Sequence, residues 1–546
     1  MNYKGTTGND DFTGTSGNDV FTMVQGGNDA VDGGGGNDVF RFGATFDVHD
    51  SVTGGSGIDT LVLDGDYSNP MFVSSSMLTG VENITVMAGH SYYLALFDGV
   101  IAHGESLTFK GAGLGVDDTF IVDGSYLSGT SADTTLIVYG GAGTTYFTGG
   151  TGTNIFHGGA ADDYVYFGDN LGHDDRLDGG GGNNTLQLIG DYSAGITFTA
   201  AMMHNFHYLS FQDGYSYKVT LNDANVAAGQ TLEVYGSNLS VGDSLVFNGA
   251  HETDGHFQFY DGSGNDVLTG GQQNDNFTSF SGGNDKFYGQ GGADVFNMED
   301  HFNAADHIDG GAGTDEIDLW GDYSHGLTLK ATTVVNVETI FMSAGHSYKL
   351  VMNDGNVAAG QSMSLNADLL GATDSFVANA SAETDGQYYL GGGAGDDTLI
   401  GGQAGNTLYG NLGQDHMTAG HGADVFRYLD VSESTGAARD ILTGFDAKHD
   451  SFDLPFDVSV GGIDAALTHG VLTEAHFDGN LANALDAAHL AAGHAVLFTP
   501  DSGGLAGHTF LVVDANGMAG YQAGEDFVFQ LEGATNLGNL DMSDFH

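Results

Sequence analysis

The chain has 546 residues, 40% of them hydrophobic and 11% aromatic, so it carries enough apolar material to bury several cores and does not read as disordered. Its 72 acidic residues against 11 basic ones give a formal charge of −61, spread over the whole length. That balance excludes nucleic acid and anionic membrane surfaces as partners, and a compact state needs cations to neutralise it. Cysteine is absent, and the 91 glycines lack the every-third-residue spacing of collagen. No apolar run approaches the ~20 residues of a spanning helix, so neither a disulfide framework nor membrane insertion is expected. Met1 to Gly5 lead into Gly/Asn/Asp turns without an apolar stretch. Export is therefore expected to bypass an N-terminal signal peptide.

In chain order, residues 1–64 hold a first array of Gly-x-Asn-Asp-type steps with acidic positions at Asp10, Asp19, Asp29, Asp38 and Asp59. Residues 65–135 form a spacer whose segments Asn83 to Met87 and Tyr92 to Leu96 are short, β-branched or aromatic, and bounded by turn residues, which predicts strands. Residues 136–189 hold a second array in which Thr145, Asn154 and Asn184 replace acids and Asp163 remains. A second spacer follows over 190–258. The third array, 259–320, carries Asp266, Asp275, Asp285, Asp294 and Asp315 at the same intervals as the first, 9, 10, 9 and 21 residues, which marks duplication. A third spacer covers 321–388, and a fourth array, 389–430, has Asp397, Asn406, Asp415 and Asp424. The spacers repeat one another: Gly65-Asp66-Tyr67-Ser68 returns at Gly190 and Gly321, and Asp98 returns as Asp223 and Asp354. Residues 431–546 change character. An Ala/Leu-rich stretch from Leu481 to Leu490 has helical spacing, followed by strand patterns at Ala495 to Phe498 and Thr509 to Val513.

The nine-residue metre has a chemical reading. Ca²⁺ takes six to eight oxygens, backbone carbonyls included. Glycine tolerates φ > 0, so a Gly-rich turn can curl its carbonyls toward one point while the sixth-position Asp adds a charged ligand. The last three residues then make a short strand with its middle side chain inward; Val20, Val39, Leu61, Val267, Val295 and Leu399 supply apolar groups beside each Asp. Nine residues make half a coil and about eighteen a full one, with ions between stacked turns. The fourteen candidate ligands are the aspartates named above in the four arrays. Asn-Asp-Gly clusters also form turns without metal, but that accounts for a turn and not for the recurring acidic slot.

Gly392 to Ile400 and Gly54 to Leu61 resemble the nonapeptide of the repeats-in-toxin (RTX) family, Gly-Gly-x-Gly-x-Asp-x-hydrophobic-x. Asp424 to Leu429, Ser432 to Thr435, Asp440 to Asp446 and Asp450 to Leu454 resemble the serralysin-type C-terminal domain of proteins exported by type I secretion. The resemblance implies an all-β fold of tandem parallel β-rolls alternating with small β-rich spacer domains, ending in a mixed α+β secretion domain. It implies multiple Ca²⁺ ions, the ABC-transporter type I secretion apparatus as a partner, and a secreted, extracellular or cell-surface location. The lost acids predict that the second array binds fewer or weaker ions, or is a metal-free coil.

Other signals carry alternatives. Tyr67, Tyr192 and Tyr323 read either as a sugar-stacking platform or as corners packed on their own sheet, and the packed corner is favoured. His90-Ser91-Tyr92 is not expected to be catalytic, because Tyr215 replaces the His in the middle spacer. Asp514 to Gly517 beside Glu525-Asp526 reads either as a further Ca²⁺ site or as a hairpin turn. No zinc-protease helix, nucleophile elbow or Cys nucleophile is present, and in family enzymes a catalytic domain precedes the repeats, which here start by Gly8. The expectation is a non-enzymatic surface-layer, matrix or adhesive protein, engaged in self-assembly or with a cell-surface glycan. The alternatives are a polysaccharide-acting enzyme and a carbohydrate-binding adhesin.

Overall fold

Short strands separated by Gly/Asp turns can bury their apolar residues only by stacking on copies of themselves. The computed structural model describes residues 1–129 and 133–546, in two compact units, Met1–Asp275 and Asn276–His546. In the first unit, Asn2–Lys4, Val20–Thr22 and Val39–Phe42 pair in one parallel sheet, and Asp11–Thr13, Ala30–Asp32 and Ser51–Thr53 pair in another. Strands along the chain thus alternate between sheets. Tyr3 pairs with Phe21, Phe21 with Phe40 and Phe40 with Leu61, so a full coil takes 18 to 21 residues.

The core is thin in the first array, where the three-residue strands Val20–Thr22, Ala30–Asp32 and Ser51–Thr53 each bury one side chain. Phe21, Phe40 and Leu61 are buried, and the first two rings stack at 5.1 Å. The inward position is the second residue after the Asp, because side chains two apart share a face. Val20, Val39, Val267 and Val295 are accordingly only half-buried, while Phe21, Phe40, Leu268 and Phe296 fill the core. Leu61 and Leu399 stand at the inward position themselves.

The spacer residues continue the winding with longer coils. Thr60 pairs with Asn83, Asn83 with Thr108 and Ser106 with Thr135, all in the sheet that began at Asn2. What changes is the other sheet. Tyr67–Val73, the Gly-Asp-Tyr-Ser strand, opens a new parallel sheet with Tyr92–Leu96, while the older sheet ends at Leu78–Thr79. Tyr192–Thr197 opens another with Tyr217–Thr220, and the sheet from Asn2 ends at Met203–His204. In the second unit, Tyr323–Thr328 does the same with Tyr348–Val351. Each spacer therefore exchanges one sheet for another. Tyr67, Tyr192 and Tyr323 are buried, their hydroxyls donating to the carbonyls of Gly43, Gly168 and Glu299. This is the packed-corner arrangement, and a buried phenol so bonded offers no platform.

The last part of the second unit is mixed. Asp440–Thr443 pairs in parallel with Phe527–Glu532, which continues antiparallel through Thr509–Val513 to His494–Phe498. The α-helix is Phe477–Ala484, shorter than the expected stretch to Leu490. Asp486 ends it: its side chain accepts from Ala488 N (2.9 Å) and its carbonyl from His489 N and Leu490 N, forming a local turn instead. Arg439 is buried over the Phe477 ring at 4.3 Å and donates to Gln530 Oε1 and Glu474. The chain end folds back, with Phe545 stacked on Phe452 at 5.5 Å and His546 N donating to Phe452 O.

Candidate metal centres

The predicted acidic positions come together as ladders along the edges of the coils. Asp59 Oδ1 accepts from Asp38 N and Asp38 Oδ1 from Asp19 N, both at 2.7 Å; Asp29 Oδ1 accepts from Asp10 N at 2.9 Å. In the third array Asp315 Oδ1 accepts from Asp294 N, Asp266 Oδ1 from Leu245 N and Asp275 Oδ1 from Phe257 N. In the fourth, Asp415 Oδ1 accepts from Asp397 N, and Asp424 Oδ1 from Asn406 N. Apart from half-buried Asp10, every candidate is at most 3% exposed, which no ordinary turn-forming Asp requires. Sequence reasoning missed several rungs: Asp50 caps Asp29, Asp306 caps Asp285, Asp440 caps Asp415, Asp450 caps Asp424, and Glu82 and Glu338 cap Asp59 and Asp315. They lie outside the Gly-rich nonapeptide, and only the coil-to-coil step of 21 to 26 residues identifies them.

The second carboxylate oxygen divides the turns into two kinds. In one, the N–H of the repeat's second residue closes on it: Thr6 on Asp10, Thr15 on Asp19, Gly159 on Asp163, Gly262 on Asp266, Gly271 on Asp275, Gly393 on Asp397 and Gly420 on Asp424, at 2.5 to 3.0 Å. In the other, that second residue is left-handed, at Gly34 (φ 85°), Gly55 (100°), Gly311 (98°) and Asn411 (69°). The peptide is turned, and Asp38, Asp59, Asp315 and Asp415 keep a buried Oδ2 with no hydrogen-bond partner. A buried carboxylate oxygen left so is costly unless a cation meets it.

The space beside these oxygens has the chemistry of a hard-cation cradle. A Cβ built on Gly33 would lie 2.3 Å from Asp38 Oδ2 and 2.5 Å from Gly54 O, so a carboxylate and a carbonyl converge where only glycine leaves room. Gly33→Ala is expected to weaken Ca²⁺-dependent folding of the first array by roughly 1–3 kcal/mol through overpacking. Gly17→Ala, with no atom near its added Cβ, should leave it unchanged. Ca²⁺ titrations followed by circular dichroism compare the two; equal midpoints would remove the cradle.

Where asparagine replaces the acid, the turn satisfies itself. Asn154 Nδ2 donates to the carbonyls of Gly150 and Gly152 and to Asp175 Oδ1, and Asn184 Nδ2 to those of Gly181 and Asn205. Asn406 repeats this with Gly402 and Ala404. An amide N–H₂ bonds the carbonyls that a cation would otherwise draw together. Asp514 and Asp526 also spend their oxygens on backbone N–H groups, of Gly493 and Gly517 and of Ala515 and Gln522. This is the geometry of a capped turn.

Burial raises the carboxyls. Asp38 and Asp59 are pushed up by desolvation, Asp315 and Asp397 to about 6, Asp275 to about 7. Asp415 is pushed far above the carboxylate range by burial and the facing Asp440. Such groups need a proton or a cation beside them at neutral pH.

Parallel coils with acidic, glycine-dependent turns along their edges define a β-roll of the calcium-binding kind. Residues 4–22, 24–48, 139–170, 171–187, 258–279 and 281–297 match the RTX calcium-binding nonapeptide repeat (4 copies), and residues 359–460 match the Peptidase M10 serralysin C terminal. The chain thus carries RTX calcium-binding repeats and a serralysin-type C-terminal segment, which make it a secreted, Ca²⁺-binding protein. No curated protein matches it. Among the described residues no helix is long and apolar enough to cross a membrane.

Proposed function

We propose that the protein is a non-catalytic extracellular structural component, of a surface layer, a matrix or an adhesive coat, whose coils set on meeting external Ca²⁺. The observation carrying this reading is the sheet exchange at three successive spacers, which prolongs the winding and spends the repeated tyrosines on packing. Asp38, Asp59, Asp315 and Asp415 are proposed as the first ligands to fill, since their turns are already open. The remaining sixth-position aspartates follow once their turns open, and the second array is the least occupied. Negative-stain imaging of the purified chain tests the role: sheets or filaments are expected at millimolar Ca²⁺ and none in chelator. Single dispersed particles in both would overturn it.

A second reading, a carbohydrate-binding adhesin, is favoured by one cleft in the second unit. Trp320, 54% exposed, borders a cavity of about 610 Å³ with Asp300, Asp322 and His346. A ring face beside carboxylates suits a sugar, whose apolar face stacks while its hydroxyls donate.

A further inference from the structure

Two acidic clusters lie outside the sixth-position slots of the arrays. In the first unit, Asp223, Glu252 and Asp254 each place a carboxylate oxygen within 4.8 Å of the other two; in the second unit, Asp354, Glu383 and Asp385 do the same. Acid clusters on a protein of this charge are common, and proximity alone assigns nothing. The glutamates supply the independent observation. Glu252 and Glu383 are 1% and 0% exposed, and in both Oε2 is buried with no hydrogen-bond partner. Oε1 is fully used, accepting from the backbone N–H groups of Thr253, Asp254 and Gly255 at 2.9 to 3.1 Å, and of Thr384, Asp385 and Gly386 at 3.0 to 3.2 Å.

The rest of each cluster is equally well held. Asp223 Oδ1 accepts from Thr253 N (2.9 Å) and Thr253 Oγ1 (2.6 Å), and Asp354 Oδ1 accepts from Thr384 N and Oγ1 at the same distances. Glu-Thr-Asp-Gly thus wraps one buried carboxylate beside its own exposed aspartate and a second exposed one, Asp223 or Asp354, twice, with the same bonds.

The first spacer shows that the fold does not need the acid. Leu127 takes the place of Glu252 and Glu383: a Cβ added at Gly150, Gly271 or Gly402 would meet the Cβ of Leu127, Glu252 or Glu383 at 2.9 to 3.2 Å. The carbonyls of the three residues accept from Thr151, Gln272 and Gln403 N. A leucine buries there without an orphan oxygen. The glutamate therefore introduces a desolvated carboxylate oxygen that nothing in the packing demands, next to two further negative charges.

We infer that Asp223–Glu252–Asp254 and Asp354–Glu383–Asp385 are two Ca²⁺ sites distinct from the nonapeptide turns, one in each of the last two spacers and none in the first. The buried Glu Oε2 would anchor the ion and the exposed aspartates complete the protein ligands. Water would fill the remaining positions, as suits a hard cation with six to eight oxygens.

Equilibrium dialysis of the full chain against radioactive Ca²⁺ tests this with the double variant Glu252→Gln/Glu383→Gln. Gln keeps an oxygen for the three backbone N–H groups and removes the charge. Two fewer ions per chain than wild type are expected, with one lost in each single variant and the circular dichroism at saturating Ca²⁺ unchanged. Equal ion numbers in wild type and variant overturn the inference while leaving the RTX turns as Ca²⁺ sites. No Ca²⁺ on wild type overturns both. If the Gln variants fail to fold, Asp254→Asn/Asp385→Asn, at exposed positions, decides by the same count.

Discussion

Removal of Ca²⁺ by excess chelator is expected to erase most of the β-sheet circular dichroism of this chain. Restoring Ca²⁺ should bring it back cooperatively, with a midpoint of about 10⁻⁴ to 10⁻³ M, the range of extracellular calcium modules. The reason is electrostatic before it is structural. A formal charge of −61 is compacted in the fold, and its acids are stacked: Asp19, Asp38 and Asp59 follow one another on a single edge, each essentially without solvent. The apolar core that opposes this repulsion is thin in the arrays, where the shortest strands bury one side chain each, so binding free energy has to supply much of their folding free energy. The same logic suits export, since a chain without ions stays extended until it reaches a Ca²⁺-rich medium. A β signal present in chelator and indifferent to Ca²⁺ would refute it.

The pH dependence should change sign with the metal. In the metal-free fold the buried carboxyls hold protons more tightly than in the unfolded chain: Asp315, Asp397 and Asp450 titrate at about 6, Asp275 and Asp526 at about 7. An acid whose folded value is raised stabilises the fold below its unfolded value near 4 and loses that contribution as pH rises through the folded value. For Asp397 alone the loss by neutral pH is about 3 kcal/mol at 1.36 kcal/mol per unit. Metal-free protein, largely unfolded at about pH 7.5, is therefore expected to regain β-sheet signal and a melting transition at about pH 4.5. With millimolar Ca²⁺ the order reverses, because protons then displace the ion that the ionised carboxylates hold. Thermal melts monitored by circular dichroism at the two pH values, with and without Ca²⁺, decide the point. The same slope in both would show that the ladders do not bind the ion.

The repeat metre was legible in the residues because a nine-residue half coil writes itself as a nine-residue spacing of Asp, Gly and an apolar group. Strand identity in the spacers was legible too, from β-branched and aromatic runs between turn residues. The helix end was not: Leu481 to Leu490 keeps helical spacing throughout, but a local bond from Asp486 competes with the helix and wins. The extra rungs Asp50, Asp306 and Glu82 sit in irregular loops, where no metre points to them.

By itself the sequence determined the class of this protein: the acidic charge requires cations, the nonapeptide sets the coil, and the glycines mark where backbone must approach carboxylate. Only the tertiary structure decided which turns stand open. Gly34 and Gly393 occupy the same slot of nearly identical repeats, yet Gly34 is left-handed and leaves Asp38 Oδ2 unmet, while Gly393 closes on Asp397. Glycine permits both conformations at similar cost, so the choice falls to the coil stacked on it. The orphan oxygens of Glu252 and Glu383 were hidden for a related reason, since a glutamate becomes a buried, half-satisfied ligand only when its own turn wraps around it.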